Sequence, residues 1–205
     1  MFSPKGVELE RGWPGRIEGD EVVQLAAQTL QVYFTAGGAL REHARYPLAG
    51  VDLRPPVLHP PGVRVFDGLD FSFGNTAAIF GPGDDVPYPE GSHALRTGPS
   101  VAAVVGAEGA IGGFTVANAW TAPDLPGVKS RDFALSIGPV LVTPDEVDVA
   151  VEPGWAERLA HAARNTVLKP GDLLVVATAA GEQVARGDEV VCEQAGIGAL
   201  RNRVV

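Results

Sequence analysis

Gly113-Phe114-Thr115-Val116-Ala117-Asn118-Ala119-Trp120-Thr121-Ala122-Pro123-Asp124 decides how this chain folds. The first half is rich in strand-forming Phe, Thr and Val, and Pro123 ends any ladder that continues from it. Just upstream, Gly106-Ala107-Glu108-Gly109-Ala110-Ile111-Gly112 could suggest a dinucleotide site. A strand follows it, however, instead of a helix whose N-terminus could hold a pyrophosphate. The segment therefore reads as a glycine hairpin joining strands at residues 101–105 and 111–116.

Further strands are predicted over residues 77–80, 133–142, 147–151, 173–178 and 189–193, with turn chemistry such as Gly81-Pro82-Gly83-Asp84 between them. One helix is predicted over residues 155–167, where Trp155, Leu159, Ala162, Ala163 and Thr166 share a face behind Pro153-Gly154. Near the start, the run from Gly15 to Leu25 reads as a hairpin with a Gly19-Asp20 turn. Helical apolar spacing follows at Ala26, Ala27, Leu30, Val32, Tyr33 and Phe34, and Gly37-Gly38 stops it. So few helices exclude a doubly wound α/β architecture. The pattern predicts a mixed β fold with a small N-terminal α+β piece. Pro55, Pro56, Pro60 and Pro61 place the expected boundary between a small domain of residues 1–58 and a β-rich core of residues 59–205.

At 205 residues, 45% hydrophobic and 20% charged, the chain suits one domain with a sizeable core and an appendage. The formal net charge of -9 and the lack of clustered Lys or Arg argue against a nucleic-acid partner. No apolar run approaches the roughly 20 residues of a membrane span, so no membrane partner is expected. Glu8, Glu10 and Arg11 interrupt any signal-peptide core, and a cytoplasmic location is expected. Cys192 is the single cysteine and lies in an alternating segment, where a buried inert thiol is expected.

Several ordered segments resemble the fumarylacetoacetate hydrolase superfamily. The opening stretch is similar to its G-Y-T-[VI]-x-N-D-x-[ST]-A-R-D motif, with Ala119 at the metal-binding Asp and Pro123 at the Arg. The run from Asn75 to Pro87 resembles N-P-x-A-I-x-G-P-x-D-x-[IV]-P. Lys129-Ser130-Arg131-Asp132, followed by Gly138-Pro139-Val140-Leu141-Val142-Thr143, is similar to a K-x-x-D block and its L-G-P-W-[LI]-V-T continuation. Leu168-Lys169-Pro170-Gly171-Asp172 resembles L-x-P-G-D, and the closing run from Gly187 to Val204 resembles the family's C-terminal motif.

The resemblance implies a β-roll or β-sandwich core, a homodimer, and enzymes that hold Mg²⁺ or Mn²⁺. Those enzymes act on 2-oxo or β-diketo carboxylates as hydrolases, decarboxylases or isomerases. A hard cation chelating the 2-oxo acid stabilises the developing enolate, which requires converging carboxylates. The family's E-x-E pair maps onto Gly98 and Ser100, fixed by the strand that follows, so three ligand positions including Ala119 lack a carboxylate. Pro126 likewise replaces a residue the family has polar or charged. No bound metal cofactor is therefore expected.

Lys129 matches the family lysine that reaches the substrate and is the first candidate catalytic residue. His93 is the histidine nearest in sequence to the altered E-x-E site and is the second. Thr178, Asn118 and Ser100 are candidate substrate-binding residues, and a small-molecule carboxylate is the expected partner. Each has a plainer role available: a lysine on a loop is ordinarily solvated, and an Asn at a strand end can satisfy backbone groups. His59 and His161 read as solvated. The resemblance leaves three functions open: a family member that has lost metal-dependent activity, a metal-independent enzyme using Lys129, or a scaffold partner of an active family member.

Overall fold

The computed structural model describes residues 1–147, 154–176 and 181–205. In chain order the strands begin with β1 (Phe2–Pro4), β2 (Gly15–Glu18), β3 (Glu21–Leu25), β4 (Glu42–Pro47), β5 (Val51–Leu53), β6 (Val63–Asp67) and β7 (Asp70–Phe73). There follow β8 (Ile79–Phe80), β9 (Asp85–Val86), β10 (Pro99–Val105), β11 (Ile111–Asn118) and β12 (Leu135–Val142). The last are β13 (Leu173–Val176), β14 (Glu189–Gln194) and β15 (Gly198–Val204). Helix α1 covers Leu30–Thr35 and α2 covers Trp155–Ala163. The mixed β fold with few helices is therefore present.

The glycine hairpin is the middle of the main sheet. β10 and β11 pair antiparallel from Pro99↔Asn118 to Val105↔Ile111. The connection puts Glu108 at φ 53 and Gly109 at φ 75, a left-handed bend suited to the glycine-rich sequence. This pair lies inside a seven-stranded sheet of order β7-β6-β13-β10-β11-β12-β8, in which β6–β13 and β12–β8 are parallel. Small sheets β14-β15-β9, β2-β3-β4 and β1-β5 complete the strands.

Period-two alternation divides the central strands between two cores. Ala102, Val104, Ala117, Ile137, Leu173 and Val175 point to one face, where Val63 from β6 meets Ile79 and Leu135 from the opposite side of the sheet. That meeting requires the sheet to curl into a half-barrel with this face inside. Leu30 and Phe34 of α1 fill part of the interior. Alternate residues Val101, Ala103, Val105, Phe114 and Val116 face outward, under α2 and the β14-β15-β9 sheet, which contribute Trp155, Ala162, Val190, Leu200 and Val204. Cys192 belongs to this outer core, and burial pushes its thiol up to about 11, consistent with an inert side chain.

Several boundaries differ from the periodicity. α1 begins only at Leu30, because the Thr29 hydroxyl accepts from the Val32 amide and caps the helix there; Ala26 and Ala27 lie before it. α2 stops at Ala163, and Asn165 at φ 61 leaves the helical region, so Thr166 is outside it. The strand expected over 77–80 shrinks to Ile79–Phe80, because the Asn75 carboxamide caps the turn by accepting from the Ala77 amide. Most of the strand expected over 147–151, and the last two residues of that over 173–178, lie outside the described residues. His161 is half-buried with its ring edge-on to Phe71, where solvation was expected. Pro55, Pro56 and Pro60 are buried.

The contact between α1 and the hairpin is close. A Cβ on Gly112 would lie 2.6 Å from the Phe34 ring and 2.9 Å from the Gly106 Cα. Only glycine at this position lets the ring sit against the backbone. Truncating Phe34 to Ala removes a buried aromatic from the inner core and is expected to lower stability by about 3–5 kcal/mol, measured by urea unfolding at unchanged m-value.

Candidate ligand pocket

A cavity of about 260 Å³ opens inside the curl beside Gly98 and Ala119, which flank the end of the β10–β11 hairpin away from Gly112. Val63 and Val65 of β6 line one wall, and Ala78, Ala134 and Leu135 line the facing one. Trp120 and Leu125 add apolar surface, and Asn75, Thr97, Thr121, Ser130 and Arg131 supply the polar groups. Among the described residues Arg131 is the one charged side chain of the lining.

Backbone pairing fixes the end of the hairpin. The Asn118 side-chain oxygen accepts from the Gly98 amide at 2.6 Å, and the Ala119 amide donates to the Gly98 carbonyl at 2.9 Å. Arg96 and Thr121 then exchange amide–carbonyl bonds of 2.7 and 3.1 Å, so the two chains stay joined past the strands. A Cβ built on Gly98 would clash with the Ala119 carbonyl oxygen and lie 3.0 Å from its carbon. No side chain fits at position 98 unless the backbone moves.

The loop over the cavity, from Ala122 to Ser130, is closed by the Ala122 amide donating to the Ser130 carbonyl at 2.8 Å. Asp124 ties it to the neighbouring segment, accepting from the His93 amide at 2.6 Å and the Ser92 hydroxyl at 2.7 Å. These donors, the His93 amide first, hold the Asp124 carboxyl below its ordinary range.

The residues singled out from sequence are distributed unevenly around this cavity. Lys129 is outside the lining, 70% exposed at its side chain, with Nζ bonded to Asp132 at 2.8 Å. The tight turn Gly127–Ser130 places these two charges on one side of the loop, and Arg131 lines the cavity instead. His93 is exposed and takes part through its backbone, which donates to Asp124 and accepts from the Gln183 amide. Ser100 is half-buried off the cavity, its Oγ 3.5 Å from the Ala117 carbonyl. Asn118 is 1% exposed and serves the Gly98 amide, while its Nδ2 has no partner. Thr178 lies outside the described residues.

Arg131, Asn75, Thr97, Thr121 and Ser130 were not found from sequence. The opposite charges of Lys129 and Asp132 at i,i+3 offered one usable signal for Arg131, since a turn that pairs them leaves Arg131 free of that partner.

A hard divalent cation needs several converging oxygen ligands, mainly carboxylates. Gly98 and Ala119 supply none to this cavity, and Ser100 lies off it. The nearest acids along the chain, Asp124 and Asp132, are already bonded to Ser92 and His93 and to Lys129. Among the described residues no group of three or more His, Cys, Asp or Glu converges. The described residues around this cavity do not fit Mg²⁺ or Mn²⁺.

A half-barrel sheet with a cavity inside its curl and a loop folded over it defines the class of protein. Residues 33–153 and 153–205 match the model of the fumarylacetoacetate (FAA) hydrolase C-terminal domain, and the chain belongs to that family. Among solved structures it is similar to maleylpyruvate hydrolase from Sphingobium sp. SYK-6 in complex with manganese(II) and pyruvate. That match has a TM-score of 0.72 and 20% identity, covering 96% of this chain and 97% of that one. The 5-carboxymethyl-2-hydroxymuconate delta-isomerase from Mycobacterium smegmatis matches with a TM-score of 0.75 and 20% identity, covering 94% of each chain. A 2-keto-3-deoxy-D-arabinonate dehydratase complexed with magnesium and 2,5-dioxopentanoate gives a TM-score of 0.79 at 17% identity, over 99% of this chain and 96% of that one. No curated protein matches the chain. No helix among the described residues is long and apolar enough to cross a membrane.

Gly98→Ala forces a Cβ into the Ala119 carbonyl and is expected to cost about 1–3 kcal/mol in denaturant unfolding. The Asp124 clamp should be pH-dependent. A carboxyl lowered by folding adds stability above its unfolded value and loses it as pH falls through the lowered folded value. The thermal midpoint of Asp124→Ala should therefore lie below that of the wild type at pH 7, with the gap narrowing as the pH drops below about 4.

Proposed function

We propose that this chain is a fumarylacetoacetate hydrolase family member without metal-dependent chemistry on 2-oxo or β-diketo carboxylates, whose cavity serves as a metal-free site for a small carboxylate. The observation that carries this is the backbone at Gly98. The Ala119 carbonyl occupies the space through which a ligand side chain at position 98 would project. A metal site would need acidic groups at Gly98, Ser100 and Ala119, whereas the one charge in the lining is the cation Arg131, which repels Mg²⁺ and attracts anions.

The 2-oxo acids are the natural first compounds to test, since similar folds have been solved with pyruvate and with 2,5-dioxopentanoate. A nucleophilic role for Lys129 would need its amine to reach a carbonyl held in the cavity. Its exposed position and its bond to Asp132 favour binding over that role. A homodimer belongs to the same proposal, and light scattering checks it: a monomeric mass removes that part.

The test is calorimetric titration of chelator-treated protein with Mg²⁺ and Mn²⁺, with and without oxalate or pyruvate. The expected result is no saturable heat from either metal and no strengthening of oxo-acid binding by metal. Stoichiometric metal binding, or acid binding that depends on metal, would overturn the proposal.

A further inference from the structure

The cavity differs in kind from a metal chelation site: one cation at an exposed position meets a mostly apolar chamber. Lys129 and Asp132 satisfy each other, and among the described residues Arg131 has no carboxylate partner. The chamber is lined by the apolar residues Val63, Val65, Trp120, Leu125, Ala134 and Leu135. Ser130 already donates its hydroxyl proton to the Gly127 carbonyl, leaving its oxygen as an acceptor. The Thr97 hydroxyl is 3.5 Å from the Glu182 carbonyl, a contact at the limit of hydrogen bonding. The Asn75 side chain is tied down by the fold, donating one bond to the Asp132 carbonyl and accepting one from the Ala77 amide.

We infer that the cavity binds a compact monocarboxylate with an apolar body, the carboxylate held by the Arg131 guanidinium at the mouth and the body seated against the Val63, Val65 and Leu135 walls. This rests on the metal-free site proposed above and narrows its ligand class. Three considerations lead to it. A planar guanidinium with no acid of its own matches a carboxylate in bidentate geometry. A second carboxylate on the ligand would meet no second cation, only neutral hydroxyls such as those of Thr97 and Thr121 among apolar walls, at a desolvation cost that disfavours dicarboxylates. A cavity of about 260 Å³ falls below the usual range of roughly 300–1,000 Å³ for drug-sized ligands, so the body is a single ring or a short branched chain.

The test is titration of the chelator-treated protein with benzoate and isovalerate, alongside benzamide as the neutral isostere and succinate as the dianion. Wild type is expected to bind the two monocarboxylates at least about tenfold more tightly than benzamide or succinate. Charge-assisted hydrogen bonds are of that size, so R131Q should lose about tenfold or more while R131K retains part of the binding. A ¹H–¹⁵N spectrum of R131Q superimposable on that of the wild type, away from the cavity, shows that the fold is intact. Equal affinity for benzoate and benzamide, unchanged benzoate binding in R131Q, or no binding of any monocarboxylate would each overturn the inference. The metal titration separates the two levels. Metal-dependent binding removes the metal-free site itself, whereas inert metals together with no benzoate binding remove this inference alone.

Discussion

The curl of the seven-stranded sheet is the constraint on which the molecule depends. Without it, Val63 on one side of the sheet could not share a buried cluster with Ile79 and Leu135 on the other. Each fully buried aliphatic side chain is worth about 1.5–3 kcal/mol, so a flat sheet would leave the inner face exposed at a cost comparable to the whole stability of a domain. The curl also makes the cavity, because its two facing walls come from opposite sides of the sheet. Small residues along the hairpin, Ala102 and Ala117 within and Gly106 and Gly112 at its end, let α1 enter far enough to seal the interior near the turn. The opposite end holds the cavity.

Much of this was legible in the sequence. The glycine hairpin, the short strands with Gly/Pro turns, the Gly19-Asp20 turn and the presence of two helices all follow from local chemistry, and motif order named the family. What periodicity could not give is where tertiary partners override it. α1 begins late because Thr29 caps it, and His161 is held by Phe71 from a strand distant in sequence. The curl itself is non-local, since parallel pairing of β6 with β13 and of β12 with β8 leaves no signal within either segment.

The cavity was less legible than the fold. Motif matching pointed to Lys129 because it stands at a family position, whereas the structure directs that ammonium to Asp132 and brings Arg131 to the lining. Residue identity at a motif position does not report which way a side chain points on a tight turn. Asn118 was correctly placed at the strand end, and its partner, the Gly98 amide, is a backbone group that no motif encodes. Thr97, Thr121 and Ser130 have no distinguishing spacing at all; they line the cavity because the paired segments Arg96–Gly98 and Ala119–Thr121 and the return loop pass beside it.

The hydrogen-bonded join between Gly98 and Ala119 makes sequence change at this site directional. Removing a side chain from position 98 is a one-step event that any backbone tolerates. With the Ala119 carbonyl over the bare Cα, held by the Ala119 amide and the Asn118 carboxamide, adding a side chain meets an obstacle that removing one does not. A return would have to shift the backbone at Ala119 before the side chain at position 98 could benefit, so no single substitution is favourable on its own. The join acts as a ratchet: glycine at position 98 is compatible with it, whereas any larger residue has to wait for the backbone at Ala119 to move.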